Sequence, residues 1–190
     1  MPEPGQLISY GWNAAVAEQF VNSTATPARI TRIDRGFADA VTPTEHLRVR
    51  DVEGSLCTGD WVTIVEGAVD VLLPRRTAIA RASVSGRSRE QVLAANIDTV
   101  GIVSALIGDV DLGRIERMLA LAWESGAQPL IVLTKADAAE DVPATVAAVA
   151  AIAPGVTVLT VSAATGDGLD LLEAALSGGT AVFIGVFGAG

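Results

Sequence analysis

The hydrophobic pattern changes its period near residue 95, and that change constrains the fold more than any other feature. Before it, apolar residues come in short runs, at 28–33, 37–42, 46–52, 61–66 and 68–73. The first run alternates apolar and polar residues, the period of a half-buried strand. Turn signals separate the runs at Arg35-Gly36, Thr42-Pro43, Glu53-Gly54 and Gly59-Asp60. About five short strands in roughly 50 residues predict a small barrel of the OB or SH3 type. Ahead of them, Trp12, Val16 and Phe20 share one face of a helix expected over 12–21.

After residue 95 strands alternate with helices. Strands are expected at 100–106, 129–134, 156–161 and 181–185, and helices at 112–125, 143–153 and 169–176. Gly126 closes the first helix and Pro154-Gly155 stops the second. This alternation predicts a parallel sheet, whose ligands bind at the carboxyl ends of the strands. The expected divisions are a helix and lead-in over 1–27, the barrel over 28–82, a linker over 83–96 and the α/β domain over 97–190.

Composition narrows the classes. The sole cysteine, Cys57, excludes an internal disulfide, and with His46 as the sole histidine no Cys/His zinc site can be assembled. Mean hydropathy is +0.45, yet the longest apolar helical stretch, 144–153, falls far short of the ~20 residues that span a bilayer. No basic segment leads into an apolar one at the start, so a cytoplasmic protein without membrane attachment is expected. The net charge of −9 is unevenly placed. Residues 28–90 carry net +1 and residues 91–190 net −8.

Three strand ends carry chemistry. The strand at 129–134 runs into Thr134-Lys135-Ala136-Asp137, the strand at 156–161 into Ser162-Ala163, and the strand at 181–185 into Gly185-Val186-Phe187-Gly188-Ala189-Gly190. Singly these are weak. Asp137 alone reads as a helix cap or turn residue, and Lys135 as a solvated charge. Together they read as guanine recognition. A buried Asp137 carboxylate can accept hydrogen bonds from guanine N1–H and its exocyclic amine, a donor pair adenine lacks. The Lys135 stem can cover the base, the Ala163 N–H can reach the guanine carbonyl, and the glycines free backbone N–H groups to wrap phosphates. Lys135 is also the only lysine among 13 basic residues. Base-recognition elements precede the glycine loop, the reverse of a Ras-like order, which marks a circularly permuted GTPase.

On these elements the sequence resembles the ribosome small-subunit-dependent GTPase A family. Longer blocks carry the likeness: Leu73-Pro74-Arg75-Arg76-Thr77, Gln91-Val92-Leu93-Ala94-Ala95-Asn96-Ile97-Asp98, and the run from Arg114-Ile115-Glu116-Arg117 to Trp123-Glu124-Ser125-Gly126-Ala127. The resemblance implies an N-terminal OB-fold barrel, then a permuted P-loop GTPase domain whose strands, in Ras-like numbering, run 4-5-6-1 along the chain. It implies GTP or GDP with Mg²⁺ as ligands, GTP hydrolysis in late maturation of the small ribosomal subunit, and contact with that subunit and its rRNA. Thr134, Lys135, Ala136, Asp137, Ser162, Ala163, Gly185, Val186, Phe187, Gly188, Ala189 and Gly190 match its GTP-binding positions. No catalytic residue is assigned.

Departures from the family pattern set further expectations. The sequence ends at Gly190, where the family continues with Lys and Ser, its switch segments and a zinc-binding domain. The natural protein is therefore expected to be longer, and the 190-residue chain is expected not to turn over GTP. No metal site is expected within it. The full protein is expected to be a monomer, while the bare sheet edge at 181–185 allows association. Val186 and Phe187 replace small polar residues, and Gly113 replaces an arginine.

Arg75, Arg76, Arg81, Arg87 and Arg89 lie between Asp70 and Glu90 without an acid among them. Arg75, Arg76 and Arg81 are the expected RNA-binding residues, with a solvated linker as the other reading. Two further readings fit the chain: an RNA-binding OB module with a non-catalytic nucleotide domain, and an unrelated α/β phosphate-binding domain. Trp12, Trp61 and Trp123 read as packing residues, Cys57 and His46 as non-catalytic, and Gly166-Asp167-Gly168 as a turn.

Overall fold

The computed structural model describes residues 3–20, 24–51, 54–81, 91–186 and 188–189. The chain divides into two compact units, 1–97 and 98–190.

In the first unit, five strands form an antiparallel sheet in the order β3-β2-β1-β4-β5. They are β1 (Thr26–Asp34), β2 (Phe37–Val41), β3 (His46–Arg50), β4 (Trp61–Val65) and β5 (Ala68–Leu72). The alternating residues Ala28, Ile30, Ala38, Ala40, Val49, Val62 and Ile64 pack into one core on a single face. The register between β1 and β2 shifts between Ile30 and Arg32, so a bulge lets Arg29 and Arg32 share the other face.

That other face is covered at one end only. A 3-10 turn, Gly5–Tyr10, and a short helix, α1 (Ala14–Glu18), lay Leu7, Val16 and Phe20 against Val41 and Trp61. The helix expected over 12–21 is thus a single α turn capped by Asn13, whose side chain accepts from the Val16 N–H at 3.1 Å. This cover explains why Arg29, expected on a solvent face, is buried: its guanidinium lies 4.8 Å from the Trp61 ring centroid and donates to the Asn96 carbonyl.

A second small sheet corrects the linker. β6 (Ala78–Arg81) pairs antiparallel with β7 (Gln91–Ala95), so residues 91–95 are strand. Residues 83–90, also expected in that linker, and with them Arg87 and Arg89, lie outside the described residues.

The second unit holds a parallel sheet in the order β10-β9-β8-β11. Its strands are β8 (Thr99–Ala105), β9 (Gln128–Thr134), β10 (Thr157–Thr160) and β11 (Ala181–Gly185), and every pairing is parallel. The strand neighbourhood is the one expected from the permuted order. Three helices alternate with them: α2 (Leu112–Glu124), α3 (Val142–Ile152) and α4 (Leu169–Leu176). Asp111 and Asp141 cap α2 and α3, accepting from the Arg114 and Ala144 N–H groups at 2.9 and 3.0 Å. Leu130, Val132 and Val161 meet Leu172 and Leu176 of α4 on one face. Buried Ile131 and Leu133, one residue out of phase, face the opposite side. Trp12 and Trp61 pack edge to face as expected, but Trp123 is 53% exposed, because α2 buries Ile115, Leu119 and Ala122 instead. No helix among the described residues is long and apolar enough to cross a membrane.

Candidate nucleotide site

The carboxyl ends of β9, β10 and β11 bring the expected segments together. Thr134 ends β9, Lys135 follows in a left-handed conformation (φ 60°), and Ala136–Ala138 form a 3-10 turn. A left-handed lysine is uncommon backbone for a non-glycine residue, and it swings the side chain across to the glycine loop. Lys135 Nζ donates to the Gly188 carbonyl at 2.7 Å, and Thr134 Oγ1 donates to the Ala189 carbonyl. Ala189 is buried, while Gly188 is exposed and takes φ +82° in a turn. The loop after β11 is therefore tied to the end of β9, two strands away. Phe187 and Gly190 lie outside the described residues.

The loop after β10 is tied to the same place. Buried Ser162 donates from Oγ to Asp137 Oδ1 at 2.5 Å and accepts from the Thr165 N–H at 3.2 Å. Its own N–H donates to the Asp167 carbonyl. The Ala136 N–H donates to the Val161 carbonyl at 3.2 Å. Gly168 takes φ +72°, and a Cβ there would lie 2.2 Å from the Thr160 carbonyl oxygen, so only glycine lets the chain start α4 this close to β10. Thr165 and Asp167 fasten one another through Oγ1 and Oδ2 at 2.7 Å. Nothing in the sequence singles out that bond; the glycines at 166 and 168 mark only a turn, and a turn is what the segment forms.

One expectation needs correction here. Asp137, expected to be buried, is exposed, since it stands on the 3-10 turn beyond the strand end. Its second oxygen is open to a ligand, and only a base lying over it would remove it from water. Ala163 is also exposed, and its N–H has no intrachain partner among the described residues. Gly185 closes β11 against Val103; a Cβ there would meet the Val103 carbonyl oxygen at 2.6 Å. Val186 is 40% exposed and lines a cavity of about 150 Å³ with Ser104, Ala105, Ile107 and Arg114. Gly113 has ordinary clearance, 3.5 Å to Arg117 and 3.6 Å to Asp111, so the space admits a side chain.

The three expected RNA arginines part ways. Arg75 turns inward. Its Nε and Nη2 donate to Asp60 Oδ1 and Oδ2, both at 2.7 Å, and Nη2 also reaches the Ser55 carbonyl. The Asp60 side chain has no solvent exposure, and its hydrogen bonds raise the Arg75 pKa further. Arg75 therefore ties the chain after β5 to the loop before β4. Arg76 is exposed. Arg81 lies in β6, with its side chain outside the described residues. Beside the Asp60 pair, the buried Cys57 thiol is pushed up to about 12 by burial and by the Asp60 charge, which makes it a poor nucleophile.

In fold the chain is similar to the crystal structure of YjeQ from Thermotoga maritima, with TM-score 0.69 and 18% identity over 87% of this chain and 62% of that one. It is similar also to YloQ, described as a circularly permuted GTPase, with TM-score 0.67 and 21% identity over 90% and 63%. A parallel sheet in the order β10-β9-β8-β11, with the glycine loop after its last strand in sequence, is the fold that those permuted structures share with this chain. The RsgA GTPase family profile matches residues 72–190, and the chain belongs to that family. A relative in Streptomyces coelicolor, named small ribosomal subunit biogenesis GTPase RsgA, is 49% identical over 97% of this chain. One of the same name in Streptomyces avermitilis is 45% identical over 97%. The chain spans 55% and 54% of these two relatives, about half their length.

Proposed function

We propose that this chain is the guanine-nucleotide-binding part of a GTPase acting in late maturation of the small ribosomal subunit. The observation that carries it is the convergence of Thr134 and Lys135 on Ala189 and Gly188, with Ser162 on Asp137. Those bonds hold a base-recognition turn and a glycine loop in one frame before any ligand arrives, so little ordering cost remains for binding. In this reading Asp137 accepts from guanine N1–H and the exocyclic amine, the Ala163 N–H donates to the guanine carbonyl, and the Lys135 stem covers the base. Gly185, Val186, Phe187, Gly188, Ala189 and Gly190 open the phosphate loop, where bound Mg²⁺ would supply neutralisation of the phosphate charge.

The reading extends to the N-terminal unit as an OB-type barrel that contacts rRNA, in a cytoplasmic protein that is monomeric at full length. The names of the relatives and the net positive charge of residues 28–90 support it. By itself the 190-residue chain, whose only lysine is Lys135, binds nucleotide without turning it over. Catalysis needs a phosphate-loop lysine and a hydroxyl on Mg²⁺.

The test is titration of the chain with fluorescent GDP and ADP. GDP is expected to bind at least about a hundredfold more tightly, and Asp137→Ala is expected to erase the difference. Equal affinity for the two nucleotides would overturn the reading. Phosphate release from GTP by the 190-residue chain would overturn the statement about turnover.

A further inference from the structure

With Arg75 committed to Asp60, the basic surface of the N-terminal unit has to be sought elsewhere, and the uncovered end of the five-stranded sheet supplies it. Pairing puts Arg32 opposite Asp39 and Asp34 opposite Phe37 between β1 and β2. It puts Phe37 opposite Arg50 and Asp39 opposite Arg48 between β2 and β3. Side chains directly opposite one another lie on the same face, so Arg32, Asp34, Phe37, Asp39, Arg48 and Arg50 form one outward patch. The N-terminal turn and α1 cover Val41 and Trp61 at the far end of this face and stop short of the patch.

The patch has an ordered centre. The Arg48 guanidinium lies 5.1 Å from the Phe37 ring centroid. Two carboxylates hold it there: Nη2 donates to Asp34 Oδ2 at 2.8 Å and Nη1 to Asp39 Oδ1 at 3.4 Å. The Asp34 bond raises the Arg48 pKa and lowers that of Asp34. Yet the Arg48 side chain remains 49% exposed and Phe37 is 37% exposed. A guanidinium pinned edge-on by two acids has spent donors on them and keeps an open face. It suits stacking better than clamping a phosphate. Around it, Arg32, Arg35 and Arg50 are exposed, and none forms an ion pair among the described residues.

We infer that the outer face of β1, β2 and β3 binds unpaired RNA, with one base stacked on the Phe37–Arg48 platform and the flanking Arg32, Arg35 and Arg50 on phosphates. The inference rests on the reading of the N-terminal unit as an RNA-binding module and gives that module its site and its preferred form of RNA. Stacking on aromatic rings and guanidinium planes is how unpaired bases are held. Duplex RNA offers no free base face and would meet only the three flanking arginines.

The test is fluorescence anisotropy of the 190-residue chain with labelled single-stranded RNA of about 20 nucleotides, its abasic counterpart and a hairpin, across a salt titration. Phe37→Leu keeps an apolar side chain and loses the ring, and Arg48→Lys keeps the charge and loses the plane. Each is expected to weaken single-strand binding about tenfold with the salt slope unchanged. Arg32→Gln with Arg50→Gln is expected to lower the slope by about 1.4. All four positions are exposed, and circular dichroism checks that the variants fold.

If the wild type binds single strands and neither Phe37→Leu nor Arg48→Lys weakens them, the platform is wrong while the RNA-module reading stands. Equal affinity for the abasic RNA would likewise remove the platform and leave the module. If the wild type binds none of the three RNAs, the module reading fails and the platform with it.

Discussion

At the residue scale, Asp60 is the most consequential side chain outside the candidate site. It is wholly buried, accepts from the Cys57 N–H at 2.8 Å, and holds Arg75 by two bonds. Removing one partner of such a pair leaves a charge in a poor solvent, which costs far more than the pair contributes. Arg75→Ala is expected to lower stability by about 2–4 kcal/mol, measured by urea unfolding. A loss of RNA affinity in that variant would therefore report a damaged N-terminal fold, not a lost phosphate contact. Cys57 offers a second readout of the same pocket. Its thiol ionises near 9.0 when unfolded and near 12 when folded. As pH rises the unfolded chain gives up its proton first, so stability is complete below pH 9 and falls between pH 9 and 12. The wild type is expected to lose melting temperature over that window, and Cys57→Ala is expected to lose less. Parallel curves for the two would remove Cys57 as the source.

At the element scale, the small sheet β6–β7 depends on the residue that ends it. Asn96 is buried with φ +53°, a conformation asparagine tolerates better than most residues. Its amide donates to the Gly59 carbonyl and accepts from the Arg76 N–H, both at 3.0 Å, while its backbone N–H donates to the Thr77 carbonyl at 2.8 Å. Asn96→Ala is expected to cost about 2–3 kcal/mol, since it strains the backbone, strands the buried Gly59 carbonyl and removes the partner of the part-buried Arg76 N–H. Asn96→Gly should recover part of that loss by relieving the strain alone. Differential unfolding of the two variants measures it. Asn96 also shows where sequence stops being legible. The strands and helices of the second unit can be read because period, caps and stop signals are local: Asp111, Asp141, Gly126 and Pro154 act within a turn of their positions. β7 cannot, because its value lies in pairing with β6 and in bonds to Gly59 and Thr77, far away along the chain. The candidate site divides the same way. Its segments are legible as strand ends, but the bonds from Thr134 to Ala189 and from Ser162 to Asp137 follow from strand order. Arg75 looks like a surface cation in the sequence because its partner, Asp60, lies fifteen residues back.

At the scale of the whole molecule, the net charge of −9 is carried almost wholly by the second unit. Residues 91–190 hold net −8, and Glu116, Glu124 and Glu140 among them are exposed. An RNA strand approaching the arginines of the first unit also meets the long-range repulsion of the second. That repulsion acts through solvent and is screened over about 8 Å at 0.15 M ionic strength, against roughly 30 Å at 0.01 M. Contacts on the patch are direct and persist through screening better than distant repulsion does, although counterion release weakens them as well. Exchanging Glu116, Glu124 and Glu140 for glutamine is therefore expected to tighten single-stranded RNA binding severalfold at about 0.02 M salt and to leave it unchanged near 0.3 M. The wild type should then show a shallower salt dependence than the variant, because part of its low-salt gain is cancelled by its own acidic half. If the variant binds more tightly by the same factor at both salts, those carboxylates lie against the RNA itself. The contact surface would then include α2, and the first unit would not dock alone.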